Sequence, residues 1–283
     1  MNTETVYTPR FVEDFVINKL KNHPELTNEQ IAQEFLAQHG EKFDKYLRNV
    51  GAFVQSAFSK DISKLESEKE ALKNELVLAL KAKGILGDDE KSKIVINYVK
   101  GLEIHFVFKG SGIAQPGKNY VEIDWIQTYK FITDFPNKNL SLYLMAKGTV
   151  FHELAHMLSR FFGDITRKET GGSFEEKFAQ GVSVLVMNYL GLTDVYTAYY
   201  KEKEKEIVGL GELRIKAGHA IGSIYTEAGK LGLDVLSIRC RNLACIYISV
   251  PSFSLGIEFY ANPLSIAEIK AIVQSALSKF KTA

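Results

Sequence analysis

The sequence has almost no excess charge of either sign and very little cysteine. Its 283 residues include 35 lysines and arginines against 34 aspartates and glutamates, for a formal net charge of +1. A protein that binds nucleic acid or an acidic membrane through its overall charge carries a basic excess, which this chain lacks. Cys240 and Cys245 do not have CxxC spacing, so they predict neither a disulfide framework nor a cysteine zinc site. We expect both to be reduced structural thiols.

Long hydrophobic runs are also missing. The most apolar stretch, GVSVLVMNYLGL at 181–192, is too short to span a bilayer. The first fifteen residues lack the basic start and apolar core of a secretory signal. The sequence therefore predicts a soluble, cytoplasmic protein with no membrane contact, and leaves export without a cleavable signal open. Hydrophobic residues make up 46% of the chain and charged residues 24%, an ordinary globular composition.

Residues 1–86 carry helical signals. In LTNEQIAQEFLAQH, Thr27 and Gln30 have the spacing of a capping box, and apolar residues follow at helical intervals. A longer helix is predicted from about Ser56 to Lys83, with an apolar stripe that is interrupted at Lys69. LTNEQIAQEF is also faintly similar to the first helix of a helix-turn-helix. No recognition helix and no basic excess accompany it, so no nucleic-acid partner is predicted.

The rest of the chain mixes helical and strand patterns, so the predicted fold class is α+β. Between 87 and 192 the predicted elements are a helix, or alternatively a strand, at 88–101, strands at 102–108 and 119–125, and helices at about 140–162 and 173–191. Between 193 and 283 they are helices containing 199–207 and 215–229, strands at 243–250 and 255–261, and a final helix with a Ser265…Glu268 capping box.

The stretch GTVFHELAHMLSRFFGD, at 148–164, contains two histidines four residues apart with a glutamate between them. On a helix, His152 and His156 lie on one face and can present their imidazoles to a single ion. Zinc takes neutral imidazoles at about 2.0–2.1 Å, which suits this spacing. Glu153 lies about 100° further round the helix. It can therefore contact a metal-bound water and act as its general base.

The alternative interpretation of this stretch is a core helix in which both histidines are buried and hydrogen-bonded. The residues that flank them are uncharged and mostly apolar, which indicates a central helix. Two imidazoles and a carboxylate in such a helix cost free energy unless something binds them. A divalent metal ion is the simplest such partner.

TVFHELAHML, at 149–158, resembles the extended signature of zincin zinc metallopeptidases at every position. The metzincin branch continues as HExxHxxGxxH, but Ser159 and Phe162 occupy the last two defined positions here. The resemblance is therefore to the gluzincin branch, and it covers about residues 100–190. It implies a strand before the active-site helix whose edge pairs with extended substrate, and NYVEIDW at 119–125 is the candidate for that strand.

The gluzincin resemblance also implies a third ligand, a glutamate on a following helix. FEEKFAQG resembles the family's ExxAD pattern through Glu176, Ala179 and Gln180, with glutamine in place of the final acid. Its amide oxygen can still accept a hydrogen bond from a ligand imidazole, although without charge. Two alternatives stay open: Glu175 is the ligand, or Glu176 merely forms a capping box with Ser173.

Gluzincins often use a histidine or tyrosine from the C-terminal half to stabilise the oxyanion, and the resemblance implies such a residue here. His219, the single histidine after the motif, is the predicted residue. The tyrosine alternatives are Tyr196, Tyr199, Tyr200 and Tyr225.

Together these features predict a zinc-dependent metalloendopeptidase of gluzincin type that acts on a peptide or protein. Its predicted regions are a helical N-terminal part at 1–86, a zincin-like catalytic core at 87–192 and a C-terminal α/β part at 193–283 that helps to form the cleft. Zn²⁺ is expected on His152, His156 and Glu176, with Glu153 and His219 as catalytic residues. The alternative function is that of a binding or structural protein, of virion or regulatory type, that uses a zincin fold without turnover.

Overall fold

The computed structural model describes residues 10–108, 119–126, 128–129, 141–163, 172–248 and 260–280. These residues are mostly helical, with one small parallel sheet, which confirms a coarse α+β class. The helices are α1 Phe11–Asn22, α2 Asn28–Phe35, a π-helical turn Leu36–Gly40, α3 Glu41–Ala57, α4 Ser59–Ser67, α5 Lys69–Ala82, α6 Glu90–Gly101, α7 Leu142–Phe161, α8 Gly172–Tyr189, α9 Val195–Gly209, α10 Leu213–Lys230, α11 Asp234–Ile248 and α12 Ile266–Ser278. The strands are β1 Glu103–Val107 and β2 Tyr120–Asp124.

Both predicted capping boxes are confirmed. At the start of α2, the Thr27 Oγ1 accepts from the Gln30 N–H at 3.2 Å, and the Thr27 N–H donates to Gln30 Oε1 at 2.8 Å. Ser265 and Glu268 make the same pair of bonds before α12. These bonds satisfy amide groups that have no partner inside the helix, which is why the local sequence is enough to place the two helix starts.

The predicted long helix at 56–83 is wrong, because the backbone leaves helical geometry at two points. At Phe58 φ/ψ is −116°/22°, and at Glu68 it is −95°/3°, so three helices replace one. The second break is held by a distant contact: the Tyr143 hydroxyl donates to Glu68 Oε2 at 2.5 Å. The interruption of the apolar stripe at Lys69 was its local sign.

The strands predicted at 102–108 and 119–125 are confirmed as a parallel pair. Glu103 is opposite Tyr120 and Val107 is opposite Asp124. Strand β2 is buried along most of its length and packs against α7, the helix that carries the two histidines. The helix predicted at 88–101, rather than its strand alternative, is also confirmed, as α6.

The strand predicted at 243–250 is wrong over its described part, 243–248, which forms the end of α11. Leu243, Ala244 and Tyr247 are buried at helical spacing against α10. Gly218 on α10 permits this contact, since a Cβ there would lie 2.6 Å from Ile248 Cγ1. The strand propensity of ACIYI is therefore overridden by helix packing. Most of the strand predicted at 255–261 lies outside the described residues, although Tyr260 and Ala261 are helical.

The described residues group into two compact units. The first contains residues 10–53 and 202–248, and the second contains the described residues between 54 and 201 together with 260–280. Each unit is assembled from separated stretches, whereas the sequence patterns suggest three consecutive regions. The core of the first unit is formed by α1, α2, the first half of α3, α10 and α11. It includes Cys240, and burial raises the pKa of this thiol to about 12. No helix in the described ranges combines the length and the apolarity needed to cross a bilayer.

Candidate metal centre

The candidate centre is formed by two antiparallel helices of the second unit, α7 and α8. Contacts between them run in opposite directions along the chain: Gly148 meets Ser183, His152 meets Gln180, and His156 meets Glu175. The Ser183 hydroxyl donates to the Gly148 carbonyl at 2.9 Å, so the helices lie close together at this level. A carboxylate near the start of α8 is thereby brought to the histidine face of α7.

Three side chains converge at this face in a group that can hold a metal ion: His152, His156 and Glu176. The two histidine Nε2 atoms are 3.0 Å apart, and Glu176 Oε2 lies 3.3 Å from His152 Nε2 and 3.4 Å from His156 Nε2. Ligand atoms on a tetrahedron with bonds of about 2.0–2.1 Å are separated by about 3.3 Å. The three donors therefore stand at the separations of three corners of such a tetrahedron.

Each histidine has a second partner on its other ring nitrogen. His152 Nδ1 is 3.2 Å from Gln180 Oε1, and His156 Nδ1 is 3.1 Å from Glu175 Oε1. Both acceptors are buried, with Gln180 fully inaccessible to solvent. Hydrogen bonds of this kind orient a ligand imidazole and direct its Nε2 lone pair toward the ion.

The two adjacent glutamates of α8 are thus placed differently. Glu176 points its carboxylate at both Nε2 atoms, whereas Glu175 contacts the outer nitrogen, Nδ1, of His156. Successive helical residues are separated by about 100°, so both cannot occupy the same direction. The helix already begins at Gly172, one residue before Ser173, so Ser173 does not precede it as an N-cap.

The histidines and glutamates of the group shift one another's pKa values. Burial lowers the pKa of His156, but hydrogen bonds to the Glu175 and Glu176 carboxylates outweigh burial and raise it to about 10. Burial raises the pKa of Glu176, but its hydrogen bonds to His152 and His156 outweigh this and hold the pKa well below its usual range. The two carboxylates therefore favour the protonated form of His156. A metal ion and this proton compete for the same nitrogen.

Glu153 is the remaining carboxylate of the motif, and it lies half-buried on α7 beside the group. In the part of the chain that the structure describes, its carboxylate forms no hydrogen bond and no ion pair. It does contribute its negative charge to His156 and to Tyr260. A carboxylate that is close to the group but not committed to another partner can accept a proton there.

Tyr260 belongs to the site and is absent from the sequence predictions. Its hydroxyl donates to Glu176 Oε2 at 2.9 Å, and its ring lies 5.5 Å from that of His152 and 4.3 Å from that of Tyr200. Burial raises the pKa of Tyr260, and the Glu176 carboxylate adds to this effect, so the hydroxyl keeps its proton. Eighty-four residues separate Tyr260 from Glu176, and no local pattern links the two.

A close backbone contact brings Tyr260 to the site. The Leu264 N–H donates to the Lys177 carbonyl at 3.1 Å, which ties the segment after Tyr260 to α8. Gly181 makes room for it, since a Cβ at this position would lie 2.6 Å from the Leu264 carbonyl oxygen. In the sequence, the sign of this close contact is Gly181, the glycine that begins the apolar run at 181–192.

The predicted catalytic histidine, His219, lies on α10 in the first unit. It lines a surface groove there together with Tyr225, Arg241 and Cys245. Of the tyrosine alternatives, Tyr225 is in this groove and Tyr200 is in the second unit, stacked on Tyr260. The side chains of Tyr196 and Tyr199 lie outside the described part of the chain. A catalytic role for His219 stays a prediction.

No protein-family model matches the chain, and neither a curated protein nor a solved structure matches it. The interpretation of the centre therefore depends on its own residues and their geometry.

Proposed function

We propose that this protein is a zinc-dependent metallopeptidase with a centre of the gluzincin type. The observation that carries the proposal is the pairing of two features where α7 and α8 meet. Three imidazole and carboxylate donors stand at tetrahedral separations, and the uncommitted Glu153 carboxylate lies beside them. A purely structural zinc site has four protein ligands, whereas a catalytic one has three and a water.

The similarity of residues 149–158 to the zincin signature supports the same proposal, and so does the packing of strand β2 against α7. Two histidines and one carboxylate are also a ligand set that iron can take in oxygenases. A general base beside the ligands is specifically useful for activating water, which favours hydrolysis. The substrate class that we propose is a peptide or protein.

In the proposed reaction, His152, His156 and Glu176 would hold zinc, and the ion would supply Lewis acidity at this site. Glu153 takes a proton from the attacking water and passes it to the leaving amine. Glu175 and Gln180 hold the two imidazoles in position through their Nδ1 atoms.

Two groups, one hydroxyl and one imidazole, are candidates for the hydrogen-bond donor to the developing oxyanion. The Tyr260 hydroxyl is the donor that the described part of the second unit offers beside the ligands, and His219 is the donor predicted from the sequence.

The first test is metal content. Wild-type protein is expected to bind one zinc per chain, and His152→Ala is expected to abolish binding. His105→Ala is the matched control, because His105 lies on β1 and pairs with Glu103 outside the group. Iron in place of zinc, or a wild-type protein that takes up no metal at micromolar supply, would overturn the proposal.

The second test separates the base from the ligands. Glu153→Gln is expected to keep its zinc and to lose hydrolysis of a mixed library of quenched fluorescent peptides by at least about 100-fold, the lower range for a general base. Undiminished turnover in this variant would contradict the role of Glu153.

The donor to the oxyanion is tested by comparing Tyr260→Phe with His219→Gln. Loss of one such donor is expected to lower kcat by about 100- to 1,000-fold with little change in KM. Tyr260→Phe keeps the ring stacked on Tyr200, so packing is retained. The variant that lowers kcat identifies the donor, and a normal kcat in both excludes both residues.

A second candidate function is motivated by Gln180, which replaces the acid of the gluzincin pattern. In this alternative the protein is a binding or structural component, of virion or regulatory type, that retains the metal without turnover. Zinc-replete wild-type protein that cleaves no peptide of the library would favour this alternative over the peptidase.

A further inference from the structure

The buried carboxamide of Gln180 connects the metal group to a residue outside the zincin signature, Asp194. Gln180 Oε1 faces His152 Nδ1 at 3.2 Å. Its Nε2 donates to Asp194 Oδ2 at 3.1 Å and to Thr197 Oγ1 at 2.8 Å. Gln180 is fully buried, so bulk water cannot hydrogen-bond to its amide. An amide in the wrong orientation would therefore leave its polar atoms without partners.

The direction of every bond in this chain of contacts is set by Asp194. The Thr197 N–H donates to Asp194 Oδ1 at 3.2 Å, and the Thr197 hydroxyl donates to Oδ2 at 2.7 Å. A carboxylate can only accept, and the Thr197 hydroxyl has already given its proton to it. The group of Gln180 that faces Asp194 and Thr197 must therefore be the NH₂, which leaves the carbonyl oxygen for His152.

We propose that Asp194 and Gln180 form a positioning pair that fixes the tautomer of His152 for metal binding. A carbonyl oxygen opposite Nδ1 requires the proton to be on Nδ1, so that the lone pair of Nε2 is free for the ion. This inference rests on the metal centre of the proposed function. It assigns the acidic role of the gluzincin pattern to a residue fourteen positions beyond Gln180.

Asp194 also caps α9, and its two roles have to be separated in any test. Its Oδ1 accepts from the Thr197 N–H near the start of that helix, and its Oδ2 serves Gln180. Asp194→Ser keeps a good capping side chain but is too short to reach the amide. This variant is expected to unfold at nearly the wild-type temperature and yet to bind zinc more weakly.

Asp194→Asn tests the polarity of the pair. If the introduced amide keeps the cap through its oxygen, its NH₂ faces the NH₂ of Gln180, and the glutamine must turn its oxygen away from His152. We expect zinc affinity, measured by competition with a chelator, to fall by about 10- to 100-fold, the usual effect of removing a partner of a ligand.

The double variant Gln180→Glu with Asp194→Asn restores complementarity with the charges exchanged. One oxygen of the carboxylate introduced at position 180 accepts from His152 Nδ1, and the other accepts from the amide introduced at position 194. Zinc affinity is expected to recover most of the loss seen in Asp194→Asn. Gln180→Glu alone is expected to weaken binding, because two carboxylates then face each other in a buried position.

Long-range ¹H–¹⁵N NMR of labelled histidines would test the tautomer of His152 directly in the wild-type protein. His152 is expected as the Nδ1–H form with zinc bound. Asp194→Asn is expected to shift the zinc-free ring toward Nε2–H, which a merely structural role would not do. A wild-type Nε2–H ring, or unchanged affinity in both Asp194 variants, or no recovery in the double variant, would overturn the inference.

These outcomes are distinct from failure of the proposed function. If wild-type protein binds no zinc, the metal centre is wrong, and the inference falls with it. If wild-type protein binds zinc and the Asp194 variants bind it equally well, only the positioning pair is wrong.

Discussion

At the residue scale, the adjacent carboxylates of Glu175 and Glu176 point in different directions, so their removal is expected to affect zinc affinity differently. Glu176 Oε2 lies within 3.4 Å of both histidine Nε2 atoms, whereas Glu175 Oε1 lies 3.1 Å from His156 Nδ1. Glu175→Gln is expected to weaken zinc binding by about 10- to 100-fold, as for other partners of a ligand. Glu176→Gln is expected to have the larger effect, because it removes a ligand. Affinities from chelator competition decide the order.

Glu75 supplies a control for these two variants, because it is another partly buried glutamate of the second unit that forms an ion pair. It pairs with Lys147 on α7 and contacts none of the proposed ligands. Glu75→Gln is expected to leave zinc affinity unchanged. If Glu175→Gln proves more damaging than Glu176→Gln, the assignment of the third ligand is reversed.

The local sequence was sufficient at this scale where the geometry is set within one helix turn. His152 and His156 share a face because they are four residues apart, and Glu153 follows as the next residue round the helix. Tyr260 and Asp194 could not be identified in this way. Their positions depend on contacts across 84 and 14 residues, and single tyrosines and aspartates carry no pattern of their own.

At the element scale, the packing of the segment after Tyr260 against α8 depends on Gly181. A Cβ there would lie 2.6 Å from the Leu264 carbonyl oxygen and 3.0 Å from Ile269 Cδ1. Gly181→Ala is therefore expected to lower the free energy of unfolding by about 1–3 kcal/mol, the usual range for overpacking. Urea unfolding followed by circular dichroism measures this change.

Gly148 on α7 is the matched control, since it also lies in the contact between α7 and α8. A Cβ there would meet Ser183 Oγ at 3.8 Å, an ordinary contact. Gly148→Ala is expected to be neutral or to stabilise by up to about 1 kcal/mol through helix propensity. Equal destabilisation by the two alanines would contradict the close approach at Gly181.

The errors in predicting elements have a common physical cause. The stretch at 243–248 is rich in residues that favour strands, yet it is helical because Leu243 and Tyr247 bury against α10. The helix predicted at 56–83 is broken at Glu68, where Tyr143 binds from another helix. Propensity is a weak local preference, and contacts between distant elements exceed it.

At the scale of the whole molecule, the stability of the first unit is expected to depend on pH through His39. Its ring lies 4.9 Å from the ring of Phe11 and 5.7 Å from that of Phe15, both nearly edge-on. Burial, with a smaller contribution from the charge of Lys42, lowers the pKa of His39. The folded state therefore favours the neutral ring.

The sign of the pH effect follows from this lowered pKa. An unfolded histidine has a pKa of about 6.5, so the unfolded chain binds the proton at a higher pH than the folded chain does. The contribution of the neutral His39 ring to folding stability is fully present above about pH 6.5. It is lost as the pH falls through the lower pKa that His39 has in the folded state. His39→Phe is expected to reduce the loss of stability between about pH 7.5 and 5.

Urea unfolding at a series of pH values measures this dependence, with His23→Gln as the control. His23 belongs to the same unit, but its side chain is 53% exposed. A His39→Phe variant whose stability falls with acid as steeply as that of the wild type would show that His39 does not contribute.

The sequence by itself determined the pair of histidines on one helix face, the glutamate that follows the first of them, the two capped helix starts and the two strands. Each of these depends on residues within a few positions of one another, where backbone geometry leaves few choices. Only the tertiary structure decided that Glu176 rather than Glu175 faces both histidines, that Tyr260 contacts Glu176 and Asp194 contacts Gln180, and that the described residues pack as two units assembled from separated stretches. These features depend on how helices far apart in sequence pack together, and the spacing of residues along the chain does not encode that packing directly.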